Sequence, residues 1–208
     1  MIQRAAKRLF DVVGSSLALV VLSPIMTAVA ALVRIRIGSP ILFRQNRPGR
    51  DGEPFQIVKF RTMTNDTAPD GSLLTDEERL VEAGRLLRRW SLDELPELLN
   101  VISGDMSLVG PRPLLLEYLP RYTEEQARRH EMRPGLTGLA QVSGRNELPW
   151  DQRFKLDVWY VDNWSMWLDL RILVATLGRV LTGRGVSRQG HATMSPFEGS
   201  TEQEREGG

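Results

Sequence analysis

The sequence predicts a mostly α-helical protein with a small β element, monotopic on a membrane through a re-entrant, Ser-Pro-kinked helix and interfacial amphipathic helices. Three observations predict it. Val12 to Val33 are 22 consecutive uncharged residues, enough at about 1.5 Å per residue to enter a bilayer's hydrocarbon core. Cations flank both ends, Arg4, Lys7 and Arg8 before the run and Arg34 and Arg36 after it, which holds both ends on the cytoplasmic side. At the midpoint stands Ser23-Pro24. Proline removes a backbone donor and kinks the helix, and the adjacent serine hydroxyl can satisfy the carbonyl that is released. A hairpin of two half-helices over residues 1–38 accommodates all three, with a tilted single span as the alternative. A cleavable signal fits poorly, because the run is too long and continues into arginines.

The rest reads as one catalytic unit over residues 39–190, followed by a C-terminal tail over 191–208 whose Gly/Glu-rich end is expected to be disordered. After Gly38-Ser39-Pro40, Ile41–Arg44 and Phe55–Phe60 suit short strands on either side of a turn rich in Asn, Pro, Gly and Asp. Thr64–Thr75 suits a mobile loop. Leu80, Ala83, Leu86, Leu87 and Trp90 line one face of a helix from Asp76 to Trp90, and a second helix follows from Ser91 to Ile102. Further helices are expected at Leu114–Tyr118, Glu124–Met132, Trp150–Asn163 and Met166–Leu181. Trp150, Trp159, Trp164 and Trp167 fall within this late stretch, and tryptophan favours the membrane boundary, so these helices can lie flat at the surface; filling a core is the other use of such rings.

Composition limits the chemistry. With no cysteine and only His130 and His191, there is no disulfide framework, thiol nucleophile or multi-histidine metal cluster. The 27 basic residues nearly balance 26 acidic ones, which argues against a nucleic-acid binder. Residues 1–61 nevertheless hold ten Lys and Arg against three Asp and Glu, so the apolar end is also the cationic end.

The chemistry-bearing stretch is Ser91-Leu-Asp-Glu-Leu-Pro-Glu-Leu-Leu-Asn100. Leu92, Leu95, Leu98, Leu99 and Ile102 form one apolar helical stripe and leave Asp93, Glu94 and Glu97 elsewhere around the helix. Two accounts, not mutually exclusive, stay open: capping, by a box of Ser91 with Glu94 or by Asp93 as N-cap with Pro96 at the third helical position, or a working pair in which Asp93 and Glu94 act as nucleophile, acid/base or Mg²⁺ ligands. Downstream, Gly110-Pro-Arg-Pro113 fixes φ at Pro111 and Pro113, so Arg112 loses less entropy on gripping a phosphate. Lys59, Arg61, Arg88 and Arg145 are further candidates for an anion site. Carboxylates, Mg²⁺ and fixed cations are the parts of phosphoryl transfer. No P-loop or kinase signature is present.

These residues carry a family resemblance. The basic-flanked segment with Ser23-Pro24, Phe43-Arg-Gln-Asn-Arg-Pro-Gly49, Lys59-Phe-Arg-Thr-Met63, Asp93 to Asn100, Gly104 to Pro113, and Arg133 to Gln141 continuing through Ser143-Gly-Arg-Asn146 occur in one order over residues 5–183. Together they resemble the bacterial sugar transferases, in particular the minimal monotopic polyprenol-phosphate phosphoglycosyl transferases that lack extra amino-terminal membrane helices. The resemblance implies a bacterial cytoplasmic-membrane enzyme that moves a sugar-1-phosphate from a UDP-sugar donor to a polyprenyl (undecaprenyl) phosphate acceptor on the cytoplasmic face. It implies Asp93 as nucleophile of a covalent phosphosugar intermediate with UMP leaving, and Glu94 assisting protonation or, with Asp93, the Mg²⁺. Arg112 would hold phosphate, with Lys59, Arg88 and Arg145 as its partners. Glu97 stands where the pattern suggests glutamine. The ending Gly190-His-Ala-Thr-Met-Ser-Pro-Phe-Glu-Gly199 resembles members that use UDP-N,N′-diacetylbacillosamine. A membrane phosphatase or pyrophosphatase using Asp93, and a non-enzymatic scaffold, are the competing functions.

Overall fold

Helix α1 (Ile2–Arg36) is 35 residues long and carries Pro24 in its interior. Proline cannot donate to the carbonyl four residues back, that of Val20. The Ser23 hydroxyl donates to that carbonyl at 2.8 Å, and the Thr27 hydroxyl donates to the Ser23 carbonyl at 2.9 Å. Two half-helices were expected here; the helix continues through the motif with a side chain replacing the missing amide. The computed structural model describes residues 2–144, 148–182 and 196–199.

The polarity of the first half of α1 is inverted. Lys7, Asp11, Ser15, Val29 and Val33 are buried against the rest of the protein, and Ala18, Leu19, Leu22 and Met26 continue the same stripe at helical spacing. The outward residues are Leu9, Val13, Leu17, Val20, Val21, Ile25 and Ile35, with Val20 at 72% and Ile35 at 79% exposure. Polar side chains facing protein and apolar ones facing out is the pattern of a helix in lipid. The helix is also long and apolar enough to cross a membrane.

Specific bonds dock its first half. Lys7 Nζ lies 2.6 Å from Asp169 and 3.1 Å from the Val109 carbonyl, to which it donates. Arg8 donates to the carbonyls of Val101 and Ile102, and Asp11 accepts from the Leu108 amide at 3.0 Å. Farther along, Val29 and Val33 pack with Phe60 and Leu87.

The body under α1 is small. Strands β1 (Leu42–Pro48) and β2 (Pro54–Phe60) form an antiparallel hairpin in register from Leu42↔Phe60 to Pro48↔Pro54. The first strand is longer than expected, since pairing continues through Asn46 and Arg47. The expected helix Asp76–Trp90 is two, α2 (Asp76–Arg79) and α3 (Glu82–Arg89). Between them Leu80 is buried and pairs with Met63 in an isolated bridge, so tertiary pairing overrides helical periodicity. The loop over residues 64–75 folds on itself through a Thr67↔Leu73 bridge and Ser72 donating to Asp70.

After the acidic stretch come α4 (Glu97–Ser103) and the short strands β3 (Ser107–Val109) and β4 (Gly135–Thr137), which pair in parallel. A side chain at Gly110 would sit 2.4 Å from the Arg133 carbonyl, and one at Gly135 only 2.1 Å from the Gly110 amide. These two glycines let the Gly-Pro-Arg-Pro and Arg-Pro-Gly turns touch backbone to backbone. The expected helix at Leu114–Tyr118 is a 3₁₀ run over Leu116–Arg121, and that at Glu124–Met132 is α5 (Glu124–Ala127) followed by a 3₁₀ turn over Arg128–Glu131. Helices α6 (Leu139–Ser143), α7 (Trp150–Asp162) and α8 (Met166–Thr182) complete the body.

Trp167, Leu170, Val174 and Leu177 form an exposed apolar stripe on α8, whereas Asp169 and Ile172 on its other side are buried. Trp159 is exposed as well, but Trp150 packs against Phe154, and Trp164 donates to Asp169 at 3.1 Å. The tryptophans thus divide between exposed and packed positions. From the tail, Phe197 is buried against Tyr118, Tyr122 and Phe154 while its carbonyl accepts from Arg121. The expected disordered end, residues 200–208, lies outside the described residues.

Asp169 also accepts from the Tyr160 hydroxyl at 2.6 Å, so its loss strands the buried Lys7 ammonium. Replacing one partner of a buried pair costs about 3–5 kcal/mol. Asp169→Ala is expected to lower the unfolding temperature in liponanoparticles far more than Asp162→Ala, which removes an exposed partner of Arg128. Equal effects would show that α1 is held by apolar packing alone.

Candidate active site

The acidic stretch folds to suit its surroundings more than its helix propensity. Ser91 takes a left-handed conformation at φ +52°, Leu92–Glu94 form a 3₁₀ turn, and α4 begins only after Pro96. Neither form of capping is found: Ser91 makes no side-chain cap, α4 has Pro96 and not Asp93 as its N-cap, and the Glu94 carboxylate contacts two cations. Proline serves as the N-cap of α4, where its missing amide costs nothing. The apolar stripe is buried as expected at Leu98, but Leu99 is exposed.

Asp93, Glu94 and Glu97 are all buried, within two turns of backbone. Lys59, near the end of β2, reaches Glu94 at 3.1 Å and Glu97 at 2.8 Å. Arg112 donates to the same Glu94 oxygen that Lys59 contacts. One carboxylate oxygen therefore joins a strand, a 3₁₀ turn and the Gly-Pro-Arg-Pro turn. Among the described residues the Asp93 carboxylate enters no ion pair or hydrogen bond. Burial, reinforced by the neighbouring charge of Glu94, pushes its pKa up, while Lys59, Arg88 and Arg112 oppose that rise. Such a carboxylate is poorly solvated, unpaired and faced by cations.

Supporting residues fix this arrangement. Asn100, on α4, accepts from the Val58 amide at 3.1 Å and donates to the Gln56 carbonyl at 2.8 Å, behaving as a further strand beside β2. It sets the distance between Lys59 and Glu97. Arg88, on α3, donates to Thr62 at 3.0 Å, and its charge interacts with that of Asp93. Arg129 is buried, pairs with Asp157 at 2.7 Å and donates to the Arg112 carbonyl at 2.8 Å, which holds the backbone of the arginine turn. Pro111 and Pro113 on either side are both buried.

Cations gather beyond what the carboxylates neutralise. Burial, then the charge of Arg112, lowers the Arg47 pKa to about 10, and the same two causes bring Arg153 to about 10. Guanidiniums that repel one another across a partly buried site provide the electrostatics of a polyanion cradle. Mg²⁺ fits here only in part. No group of three or more His, Asp or Glu among the described residues is arranged to hold a metal, but Mg²⁺ commonly uses one or two carboxylates with substrate phosphates and water, and Asp93 offers an unpaired carboxylate.

Residues 2–183 match the family described as bacterial sugar transferase. The chain belongs to that family. An uncharacterized sugar transferase of Bacillus subtilis, EpsL, is 55% identical over 194 residues, covering 93% of this chain and 96% of that protein. The UDP-glucose:undecaprenyl-phosphate glucose-1-phosphate transferase of Caulobacter vibrioides is 43% identical over 85% of this chain and 70% of its own length. The undecaprenyl-phosphate galactose phosphotransferase of Salmonella typhimurium is 40% identical over 88% of this chain, which spans only 42% of that longer protein. This sugar transferase is accordingly an enzyme of the transferase class.

Of the residues singled out from the sequence, the structure brings together Lys59, Arg88, Asp93, Glu94 and Arg112, flanked by Pro111 and Pro113. Ser23 and Pro24 are exposed on α1 and serve the helix. Arg145 lies outside the described residues, as does most of the Gly190–Gly199 ending apart from residues 196–199. Asn100, Arg47, Arg129 and Arg153 were not singled out. Asn100 and Arg47 at least sit inside recognised motifs, whereas Arg129 and Arg153 carry no local signal.

Glu97 is noted in the sequence only for its charge; in the fold, burial pushes its pKa up to about 7 against an ordinary 4.5, with Lys59 opposing the rise. The unfolded chain therefore releases this proton first, and stability falls as pH climbs from about 4.5 to about 7. Glu97→Gln is expected to remove that decline, adding about 1–3 kcal/mol at pH 8 and little at pH 4.5. Unfolding profiles that stay parallel across this range would contradict the assignment.

Proposed function

We propose that this sugar transferase moves a sugar-1-phosphate from a UDP-sugar to polyprenyl phosphate at the cytoplasmic face of the bacterial inner membrane, with Asp93 as a covalent nucleophile. One observation carries the reading: of three neighbouring buried carboxylates, Glu94 and Glu97 are engaged by Lys59 and Arg112, while the Asp93 carboxylate is left unpaired beside them. The names of the Caulobacter and Salmonella relatives, both of which specify undecaprenyl phosphate, support the acceptor, and the former name supports a UDP-linked donor.

The reaction divides into two displacements at one phosphorus. An Asp93 oxygen bonds to the sugar-bearing phosphorus as the bond to the bridging oxygen breaks, and UMP departs with that electron pair. An oxygen of polyprenyl phosphate then bonds to the same phosphorus, the Asp93–phosphorus bond breaks, and the carboxylate is regenerated. Splitting the transfer lets a water-soluble donor and a lipid acceptor use the site in turn. Lys59 and Arg112, ordered by Glu94, face the charge on the transferring phosphoryl group; Arg88, Arg47 and Arg153 widen the cationic cradle towards the diphosphate. Glu94, between its two cations, is better placed to orient them than to exchange protons. Mg²⁺ held by Asp93 and Glu94 with donor oxygens would supply further charge neutralisation.

The bilayer geometry belongs to the same proposal. Thirty-five helical residues extend about 50 Å if straight. Yet Lys7 and Arg8 near one end and Val33 near the other all pack on the same body, and the outward face between them is apolar. A shallow, bent insertion at Ser23-Pro24 satisfies both facts, with both ends of α1 in the cytoplasm. The sugar is read as a diacetamido sugar from the resemblance of the C-terminal ending, against the glucose and galactose named for the relatives.

Asp93→Asn is expected to reduce UMP release at least 1,000-fold with unfolding temperature unchanged, and near-normal turnover would remove Asp93 as nucleophile. Because burial raises its pKa, activity of the unmodified enzyme should begin to fall on acidification at a pH above the ordinary aspartate value of 3.8. A tag at residue 1 should resist labelling from outside intact cells; external labelling would establish a full crossing.

A further inference from the structure

A groove of about 530 Å³ runs between the second half of α1 and α3, apart from the carboxylate site. Its apolar lining comes from Leu32, Val81 and Leu86, and its cations are Arg36, Arg85 and Arg89, against the single carboxylate of Glu82. Apolar floor and cationic rim together match an anion on a hydrocarbon tail; a free nucleotide would need no such floor, and a hydrocarbon alone no such rim.

Position selects among such molecules. Leu86 is 49% exposed and Trp90, one residue past α3, is 36% exposed, so apolar side chains of the α3 side reach the surface at and beside the groove. Arg36 ends α1, where the apolar run gives way to charge, a level suited to headgroups. Helix α3 also links the groove to the reacting carboxylate. Arg85 and Arg89, four residues apart, share its groove side, while Arg88 turns towards Thr62 and interacts with Asp93. Gly84 makes this possible: a side chain there would sit 1.9 Å from the Thr62 carbonyl, so α3 lies directly on the strand exit that leads from Lys59.

We infer that the α1/α3 groove is the docking site of the acceptor, a phosphate monoester on a polyprenyl chain, whose phosphate is received by Arg36, Arg85 and Arg89 and passed along α3 past Arg88 to the phosphorus held on Asp93. This assignment rests on the transferase reading above. It adds no chemistry, since the acceptor oxygen attacks as already written. It gives the lipid its own entrance, separate from the guanidiniums Arg47 and Arg153 that serve the donor. It also explains why arginines line an otherwise apolar seam.

The two half-reactions separate this inference from the reading on which it rests. The test uses the full chain in phosphatidylcholine liponanoparticles with graded undecaprenyl phosphate, comparing the unmodified enzyme with the double variant Arg85→Glu, Arg89→Glu. Without acceptor, the burst of UMP from a UDP-sugar should match in rate and amplitude, which also reports an intact site; if the glutamates disturb folding, Arg85→Gln with Arg89→Gln replaces them. With acceptor, the apparent KM for undecaprenyl phosphate should rise at least 10-fold while the KM for the UDP-sugar moves less than 2-fold. An unchanged acceptor KM would overturn the groove assignment. So would a rise reproduced in the unmodified enzyme by an equal mole fraction of phosphatidylglycerol, since the groove would then be a general anionic-lipid site. No UMP burst from the unmodified enzyme would remove the covalent Asp93 reading on which this assignment rests, and this assignment with it.

Discussion

The structure depends on a helix whose polar side chains face protein and whose apolar ones face outwards. Lys7, Asp11 and Ser15 would be the solvent side of an ordinary amphipathic helix, and here they are buried. The ion pair of Lys7 with Asp169 is tolerable in low dielectric because Tyr160 and Trp164 donate to the same carboxylate and Val109 accepts from the ammonium. With that face committed to the body, the remaining face is left outward and apolar, which suits lipid. The exposed stripe of α8 follows the same logic, and Asp169 belongs to that helix. One polar seam thus joins the two elements with outward apolar faces and sets the level of everything attached to them.

What is attached is a cluster of charges at the end of a hairpin. Lys59 and Arg112 are far apart in sequence, and a single oxygen of Glu94 collects both. The cost of burying Glu94 is offset by two cations; Glu97 has Lys59; the Asp93 carboxylate has no such partner. Its ionised form is correspondingly unfavourable, and in the proposed reaction an incoming diphosphate would bring the nearby cations to bear on the bond being made. The same economy explains the ring of arginines. Arg47 and Arg153 are each disfavoured by burial and then by the charge of Arg112, a repulsion that an anionic ligand would relieve.

Legibility in the sequence followed the range of the forces involved. The long apolar run, the flanking cations and the helices α7 and α8 were readable because helical periodicity and hydrophobicity are local. The Ser23 hydroxyl on the carbonyl released by Pro24 is local too, and it is found as expected. The break at Leu80 was not readable, because it arises from pairing with Met63 seventeen residues earlier. Nor was the 3₁₀ turn at Asp93: a helix with a capping box is the local optimum, and pairing with Lys59 and Arg112 overrides it. Strands β3 and β4 are three residues each and pair with one another as strands, so no period announces them. At the site, motif residues were found by chemistry, whereas Arg129 and Arg153 reach it only through the packing of the Arg128–Glu131 turn and α7. Asn100 stood in plain view within the acidic motif, but its role as a substitute strand is visible only beside Gln56 and Val58.

The central claim is that a phosphosugar rests covalently on Asp93 between water-soluble donor and lipid acceptor. Its most direct measurement is the intact mass of the purified protein after exposure to a panel of UDP-sugars in the absence of polyprenyl phosphate, followed by peptide mapping. The account predicts a gain equal to one sugar phosphate, carried by the peptide containing Asp93 and discharged when acceptor is added. An unchanged mass during turnover, or a modification mapped to any other residue, would contradict it.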